Sequence, residues 1–146
     1  MIEIQYPKKK PVIRHNNNGE EIFCMIRKKW LQLTPEEWVR QNFLLYLTEV
    51  LKYPSSLIAV EKQFAISDVK KRFDIVVYNN LMDPIIIVEC KEMNTPISKS
   101  TFQQVLQYYT VIQSRFIIVT NGNTTVGFER IENNLQEIMK IDPFIH

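Results

Sequence analysis

The sequence is poor in the residues that build disulfide frameworks and zinc sites. It contains two cysteines and two histidines among 146 residues. Cys24 and Cys90 lie far apart and neither has a partner at a metal-ligand spacing, which favours reduced thiols in a cytoplasmic protein. His15 and His146 form no motif with each other or with the cysteines. A zinc site is therefore not expected.

Several kinds of segment are also missing. No run is long and apolar enough to span a bilayer, and the N-terminal stretch MIEIQYPKKK lacks the apolar region of a secretory signal. No phosphate loop of the form GxxxxGK(S/T) occurs, and there is no internal repeat. We therefore expect a cytoplasmic protein without membrane association and without an ATP site in this chain.

A large excess of charge is absent as well. Lysines and arginines number 18 and acidic residues 16, so the formal net charge is +2. This excludes a histone-like polycation, and any nucleic-acid binding must use local basic clusters. Such clusters occur at 8–10, 27–29 and 70–72. The best candidate to contact phosphate is the last, Lys70, Lys71 and Arg72, because it leads directly into a predicted strand; the alternative for each cluster is a solvated surface.

The chain is long enough to form one domain with its own core, spanning 1–146. Residues 1–32 are predicted to form an N-terminal hairpin extension, in which 12–14 and 21–26 flank a polar Asn-Gly turn. Residues 33–130 form the core, with strands predicted at 57–64, 73–78, 85–88, 116–120 and 124–128. Residues 131–146 are predicted to be a C-terminal helix or tail, with Leu135 and Ile138 as its docking residues.

Two helices are predicted within the core. The first begins at Thr34 as N-cap, with Pro35 in the first turn and Glu37 completing a capping box, and ends near Lys52. Its inward face also includes Glu36 but not Glu37; the apolar members of that face are Val39, Phe43, Leu47 and Val50. The second helix spans roughly 98–113. Its core positions are Phe102, Val105, Leu106 and Tyr109.

The stretch RFDIVVYNNLMDPIIIVECK, residues 72–91, is predicted to form a β-hairpin with acidic residues at one end. Asp74 interrupts the first strand, while Glu89 and Lys91 follow the second and point to the same face. If the strands pair, Asp74 comes within reach of Glu89. One interpretation is a salt-bridged strand end, with Lys91 neutralising one carboxylate. The other is a divalent-cation site, because two neighbouring buried carboxylates repel each other and Mg²⁺ prefers oxygen ligands.

Asp74 followed by Glu89-Cys90-Lys91 across a hairpin resembles the metal-binding core of the PD-(D/E)xK nuclease superfamily. Over about residues 33–129 the chain resembles the N-terminal nuclease domain of type I restriction enzyme R subunits, although Phe73 stands where the superfamily has proline. The resemblance implies an α/β fold with a restriction-endonuclease-like core: a mixed central β-sheet flanked by helices, in the order αβββαβ. It also implies Mg²⁺, replaceable by Mn²⁺, bound by Asp74, Glu89 and the Cys90 backbone carbonyl.

The same resemblance assigns further site residues. Lys91 would be catalytic, and Glu36 on the first helix is a candidate to reach the metal site, with stabilisation of the helix dipole as its alternative role. Gln104 and Tyr108 match a QxxxY motif that contacts the nucleic-acid backbone in this superfamily. We therefore expect a metal-dependent endonuclease acting on DNA, as a homodimer or in a larger restriction-type complex. The alternatives are a non-catalytic nucleic-acid-binding or accessory module and a plain interaction protein.

Overall fold

The computed structural model describes residues 1–66, 68–109 and 112–146, without the side chains of Ile66, Val69, Tyr108 and Tyr109. An N-terminal antiparallel sheet contains Ile13–Asn16 (β1), Gly19–Cys24 (β2) and Lys29–Gln32 (β3). The predicted hairpin is confirmed as β1 and β2, and β3 extends it. Gly19 ends the turn with φ of 112°, a conformation that favours glycine.

The first helix, α1, spans Pro35–Leu45 and continues as a π-helical turn over Tyr46–Val50. Thr34 is the N-cap, since its hydroxyl accepts a hydrogen bond from the Glu37 amide at 3.0 Å. Val39, Phe43 and Leu47 are buried as predicted, whereas Val50 is 40% exposed. The prediction for Val50 is wrong because the wider π-helical turn changes the angular spacing after Leu45.

A six-stranded mixed sheet forms the centre of the molecule. Its strands are β4 (Ile58–Ile66), β5 (Val69–Tyr78), β6 (Pro84–Cys90), β7 (Phe116–Thr120), β8 (Thr125–Ile131) and β9 (Asn134–Ile138), in this spatial order. Strands β6 and β7 are parallel, and the other neighbouring pairs are antiparallel. The second helix, α2 (Lys99–Tyr109), connects the parallel pair, which confirms the predicted βαβ crossover.

The centre of the sheet is buried on both faces. Helix α1 covers one face, where Phe43 joins a cluster with Ile75, Ile86 and Val88. Helix α2 covers the other face, where Val105 packs with Ile117 and Val119, and Phe102 adds a partly buried ring. Leu106 is partly buried, whereas Tyr109 falls among the side chains outside the described part of the chain. This two-sided burial explains the apolar run over residues 85–88 within β6.

The predicted C-terminal helix is wrong, because residues 131–141 contain the end of β8 and the edge strand β9. Leu135 and Ile138 do dock, but on opposite faces of the sheet: Leu135 packs near Val105, and Ile138 packs against the cluster beneath α1. Their spacing of three fits one helix face, but in a strand it places the two residues on different faces. In the described part of the chain, no helix is long and apolar enough to cross a membrane.

Candidate active site

Strands β5 and β6 separate at the two acidic residues. Their pairing ends at Ile75 and Val88, after which β5 continues beside β4 while β6 continues beside β7 as far as Cys90. Asp74 and Glu89 are the first residues beyond the last paired position. The gap between diverging strands gives their side chains room to turn toward each other's backbone.

Each carboxylate accepts a hydrogen bond from the opposite strand. Asp74 Oδ2 accepts from the Cys90 amide at 2.8 Å, and Glu89 Oε1 accepts from the Asp74 amide at 3.4 Å. These crossed hydrogen bonds bring the two acids together at the end of the hairpin, as the sequence predicted. The two acids also interact electrostatically: burial raises the pKa of Glu89 most, and the charge of Asp74 raises it further.

The backbone is irregular at this point. Phe73 and Val76 both pack on the α2 side of the sheet, whereas Ile75 packs on the α1 side, so the alternation of side chains is broken at Asp74. On β4, Glu61 lies between residues paired with Ile75 and Phe73 and has φ of 55°. Left-handed conformations of non-glycine residues are strained and concentrate at functional sites.

Glu89 is a buried acid that retains its proton at unusually high pH. It is 6% exposed, and burial, reinforced by Asp74, raises its pKa to about 7. Lys71 and Lys91 act in the opposite direction, and Lys71 Nζ lies 3.5 Å from Glu89 Oε2. The two ammonium groups therefore compensate only part of the cost of burying this carboxylate.

We refer to the place where Asp74 and Glu89 meet as the centre. A cavity of about 160 Å³ opens on its α2 side. It is lined by Lys71, Glu89 and Lys91 from the sheet, and by α2 residues that include Gln104 and Gln107. Predicted site residues from the hairpin and from α2 thus face a common space. The side chain of Tyr108, the partner of Gln104 in the motif, lies outside the described residues. Lys70 and Arg72 are exposed and do not line this cavity.

The sequence reasoning missed Arg40, which α1 places directly on Asp74. Arg40 Nη2 lies 2.6 Å from Asp74 Oδ1, and Nη1 lies 2.7 Å from Glu37 Oε1. The Arg40 side chain is only 6% exposed, and its Nε has no hydrogen-bond partner among the described residues. The available signal was position, because Arg40 follows Val39 on the buried side of the helix.

The two first-turn glutamates exchange the environments that were predicted for them. Glu37 is the buried one, and its carboxylate contacts Arg27, Arg40 and Gln41 instead of completing the capping box. Glu36 remains 49% exposed, with Oε1 at 3.3 Å from Arg40 Nη2. Burial and the nearby Asp74 raise the pKa of Glu36, while Arg40 and Lys91 lower it. Glu36 therefore reaches the centre through Arg40.

The donor set fits a hard divalent cation. Asp74 and Glu89 supply carboxylate oxygens at one point, and burial, followed by the negative charge of Asp74, raises the pKa of Glu89. Against this, Arg40 already offsets part of the charge on Asp74. Within the described ranges, no group of three His, Cys, Asp or Glu side chains is arranged to hold a metal ion. A cation would therefore depend on two acids completed by backbone, water or phosphate oxygens.

Comparison with known proteins identifies the family. The family described as "Type I restriction enzyme R protein N terminus" matches residues 35–143. Among solved structures, a fragment assigned to the HsdR subunit of a type I restriction enzyme from Vibrio vulnificus YJ016 is 19% identical with a TM-score of 0.57. The match covers 76% of this chain and 24% of that fragment.

A second solved structure is more distant. The DrdV–DNA complex is 17% identical with a TM-score of 0.47, covering 74% of this chain and 10% of DrdV. The search of curated proteins gave no match. The HsdR fragment shares the fold, and the family match covers most of the sequence, including every predicted site residue. The chain belongs to the family of type I restriction enzyme R protein N-terminal domains.

Proposed function

We propose that this chain is a Mg²⁺-dependent endonuclease that hydrolyses phosphodiester bonds in DNA. The observation that carries the proposal is the pair of crossed hydrogen bonds between Asp74 and Glu89, which holds two acids beside Lys91 where β5 and β6 separate. Membership in a restriction-enzyme family agrees with the assignment.

Asp74 and Glu89 would hold the Mg²⁺ ion, with the Cys90 carbonyl as the predicted third ligand and Mn²⁺ able to substitute. When bound, the ion would polarise the phosphate and lower the pKa of a water molecule. Lys91 would orient the attacking water or stabilise charge on the phosphate oxygens. Its backbone amide donates to the Thr120 carbonyl at 2.8 Å, which fixes the start of its side chain.

Other residues would position the nucleic-acid backbone. Gln104 and Lys71 line the cavity beside Glu89, so both can contact phosphate next to the cleaved bond. Tyr108 is proposed to act with Gln104. Lys70 and Arg72 are exposed on β5 and would attract the strand electrostatically without reading its sequence. Glu36 would act as a positioning residue through Arg40.

With one such site per chain, cleavage of both strands would require two copies or two successive nicks. We therefore also propose assembly as a homodimer or in a larger restriction-type complex, in the cytoplasm. The chain spans 24% of the HsdR fragment that it matches, so the activities of a whole restriction enzyme are not assigned to it.

The proposal is tested by plasmid cleavage in Mg²⁺. We expect the wild-type protein to nick or cut the plasmid, and Asp74→Ala and Lys91→Ala to lose at least about a hundredfold in rate, the scale of one lost electrostatic group. Glu21→Gln, on the N-terminal sheet, is the matched control and should cut normally. Normal cleavage by the Asp74 and Lys91 variants would refute the proposal.

The second candidate is a non-catalytic nucleic-acid-binding or accessory module. The observation in its favour is the Arg40–Asp74 ion pair at 2.6 Å, because an internal cation can make Asp74 stable without a metal. In that case plasmid should bind, most tightly at low salt. No cut products should form in Mg²⁺ or Mn²⁺.

A further inference from the structure

A groove on the α1 side of the sheet lies next to the proposed centre and has no role in the hydrolysis described above. Leu33, Pro35 and Trp38 line it from the start of α1, and Met93 lines it from the segment after β6. Its volume is about 500 Å³. Grooves that bind small ligands or parts of larger ones have volumes of roughly 300–1,000 Å³.

Trp38 is the distinctive side chain of this groove. Among the described residues, its indole ring has no aromatic neighbour and its ring nitrogen has no hydrogen-bond partner. The other tryptophan, Trp30, is enclosed differently: Phe23 lies 5.3 Å from it and the Arg14 guanidinium lies 4.2 Å above it. Met93, which is 41% exposed, lines the same groove. The groove thus combines an unstacked aromatic ring with an exposed thioether.

The groove adjoins a second cavity, which is linked to Asp74 by Arg40. Thr34, Pro35 and Glu92 also line the adjoining cavity that contains Glu36 and Arg40. In the chain, Glu92 and Met93 directly follow Lys91. Arg40, in that adjoining cavity, lies 2.6 Å from Asp74, so a base next to a phosphate held at Asp74 can reach this groove.

We propose that the groove binds one unpaired nucleobase of the strand being cut, stacked on Trp38, so that the substrate is DNA with a single-stranded segment. This inference rests on the proposed nuclease function. An aromatic face accepts any base, because every base has a π surface. A paired base would have to unstack and leave its helix before it could enter, which disfavours duplex DNA. Asn94 on the groove wall carries an amide that can donate to and accept from the base edge.

A neighbouring cavity extends the path of the strand beyond Trp38. It measures about 190 Å³ and is lined by Trp38, Met93, Tyr6 and Lys10. The Lys10 ammonium can bind the next phosphate along the strand. The path would run from the acidic centre, past the Trp38 ring, to Lys10.

The test is tryptophan fluorescence in EDTA at low salt, with a single-stranded oligo(dT) of about ten nucleotides as the probe. The chain has two tryptophans, so Trp30→Phe leaves Trp38 as the sole emitter. We expect oligo(dT) to quench the Trp30→Phe protein and to leave the Trp38→Phe protein unquenched. A duplex of the same length should bind at least about tenfold more weakly.

Affinity of labelled oligo(dT) provides the second readout. Trp38→Ala should weaken binding about tenfold, the usual effect of one lost stacked base. Met93→Ala, which removes an exposed side chain, should weaken binding in the same direction with little risk to folding. Absence of quenching in the Trp30→Phe protein, or equal quenching by duplex, would overturn the inference.

The two proposals fail separately. If plasmid is not cut but Trp38 is quenched by oligo(dT), the groove assignment stands and the hydrolysis fails. If plasmid is cut by the wild type, and Trp38→Ala binds and cuts single strands as the wild type does, the groove assignment fails and the nuclease stands.

Discussion

At the scale of single residues, the main feature is that backbone amides hold Asp74 and Glu89 in place where β5 and β6 separate. Glu89 is almost inaccessible to solvent. Its carboxylate accepts a hydrogen bond from the Asp74 amide at 3.4 Å and lies 3.5 Å from the Lys71 ammonium. Burial is the largest influence on its protonation. The folded chain therefore stores an electrostatic penalty at this position, and a bound cation would relieve it.

The raised pKa of Glu89 predicts how stability depends on pH. In the folded chain its pKa is about 7, against 4.5 for an unperturbed glutamate, so its favourable contribution is complete below pH 4.5 and is lost as pH rises through 7. Glu89→Gln removes this dependence. In metal-free buffer near pH 8 the variant should be more stable by up to the order of 3 kcal/mol, since one pKa unit corresponds to about 1.4 kcal/mol.

Urea unfolding at about pH 4 and pH 8 measures this difference. The advantage of Glu89→Gln over wild type should grow between the two pH values. If wild type and variant show the same change with pH, Glu89 is not the buried, late-titrating acid that the structure describes.

The Arg40 guanidinium predicts a large loss of stability when it is removed. Arg40→Met leaves Glu37 and Asp74 without their shortest ion pairs, of 2.7 and 2.6 Å. Breaking a buried pair in this way destabilises a protein by roughly 3–5 kcal/mol. The control is Arg115→Met, because Arg115 also pairs with a glutamate at 2.7 Å but is 62% exposed. The control should lose about 1 kcal/mol or less, and equal losses would contradict the structure.

At the scale of secondary-structure elements, helix α1 contributes residues to both the acidic centre and the Trp38 groove. Its first turn carries Glu36 and Glu37, its second turn carries Arg40, and Trp38 between them lines the groove. The position of this turn is set by the Thr34 cap, whose hydroxyl binds the Glu37 amide. Small changes at the start of α1 should therefore affect the centre as well as the fold.

The cap can be tested by Thr34→Ala. Loss of the hydroxyl should reduce the free energy of unfolding by about 1 kcal/mol. Thr34→Ser keeps an oxygen that can accept from the same amide, so its stability should stay close to that of wild type. The measurement is the urea midpoint of unfolding for wild type, Thr34→Ala and Thr34→Ser. Similar losses in Thr34→Ser and Thr34→Ala would show that the methyl group, not the cap, is what matters.

The elements that the sequence predicted well are those with strong local signals. Thr34-Pro35 specifies the start of α1, and the alternating and apolar runs around Asp74 and Glu89 specify the central hairpin. The C-terminal strand was missed because Leu135 and Ile138 have a spacing that fits a helix, while pairing with β8 decides the outcome. Arg40 was missed because its burial depends on partners that lie 34 residues away in the chain, such as Asp74.

At the scale of the whole molecule, the net charge of +2 conceals a strong local concentration of charge. Acids and bases from α1, β4, β5 and β6 gather where β5 and β6 separate, while the middle of the sheet is apolar on both faces. The fold thus provides a rigid support with one charged edge. The proposed catalytic or binding function would act at this single place.

Whether Asp74 and Glu89 share a cation can be measured by calorimetric titration of Mg²⁺ into wild type, Asp74→Asn and the remote control Glu21→Gln. If Asp74 and Glu89 share a cation, wild type and Glu21→Gln should bind Mg²⁺ alike. Asp74→Asn should bind at least about tenfold more weakly, since even supporting groups around a metal contribute that much. Equal binding by Asp74→Asn and wild type, or no binding by wild type, would show that Asp74 and Glu89 do not hold a Mg²⁺ ion between them.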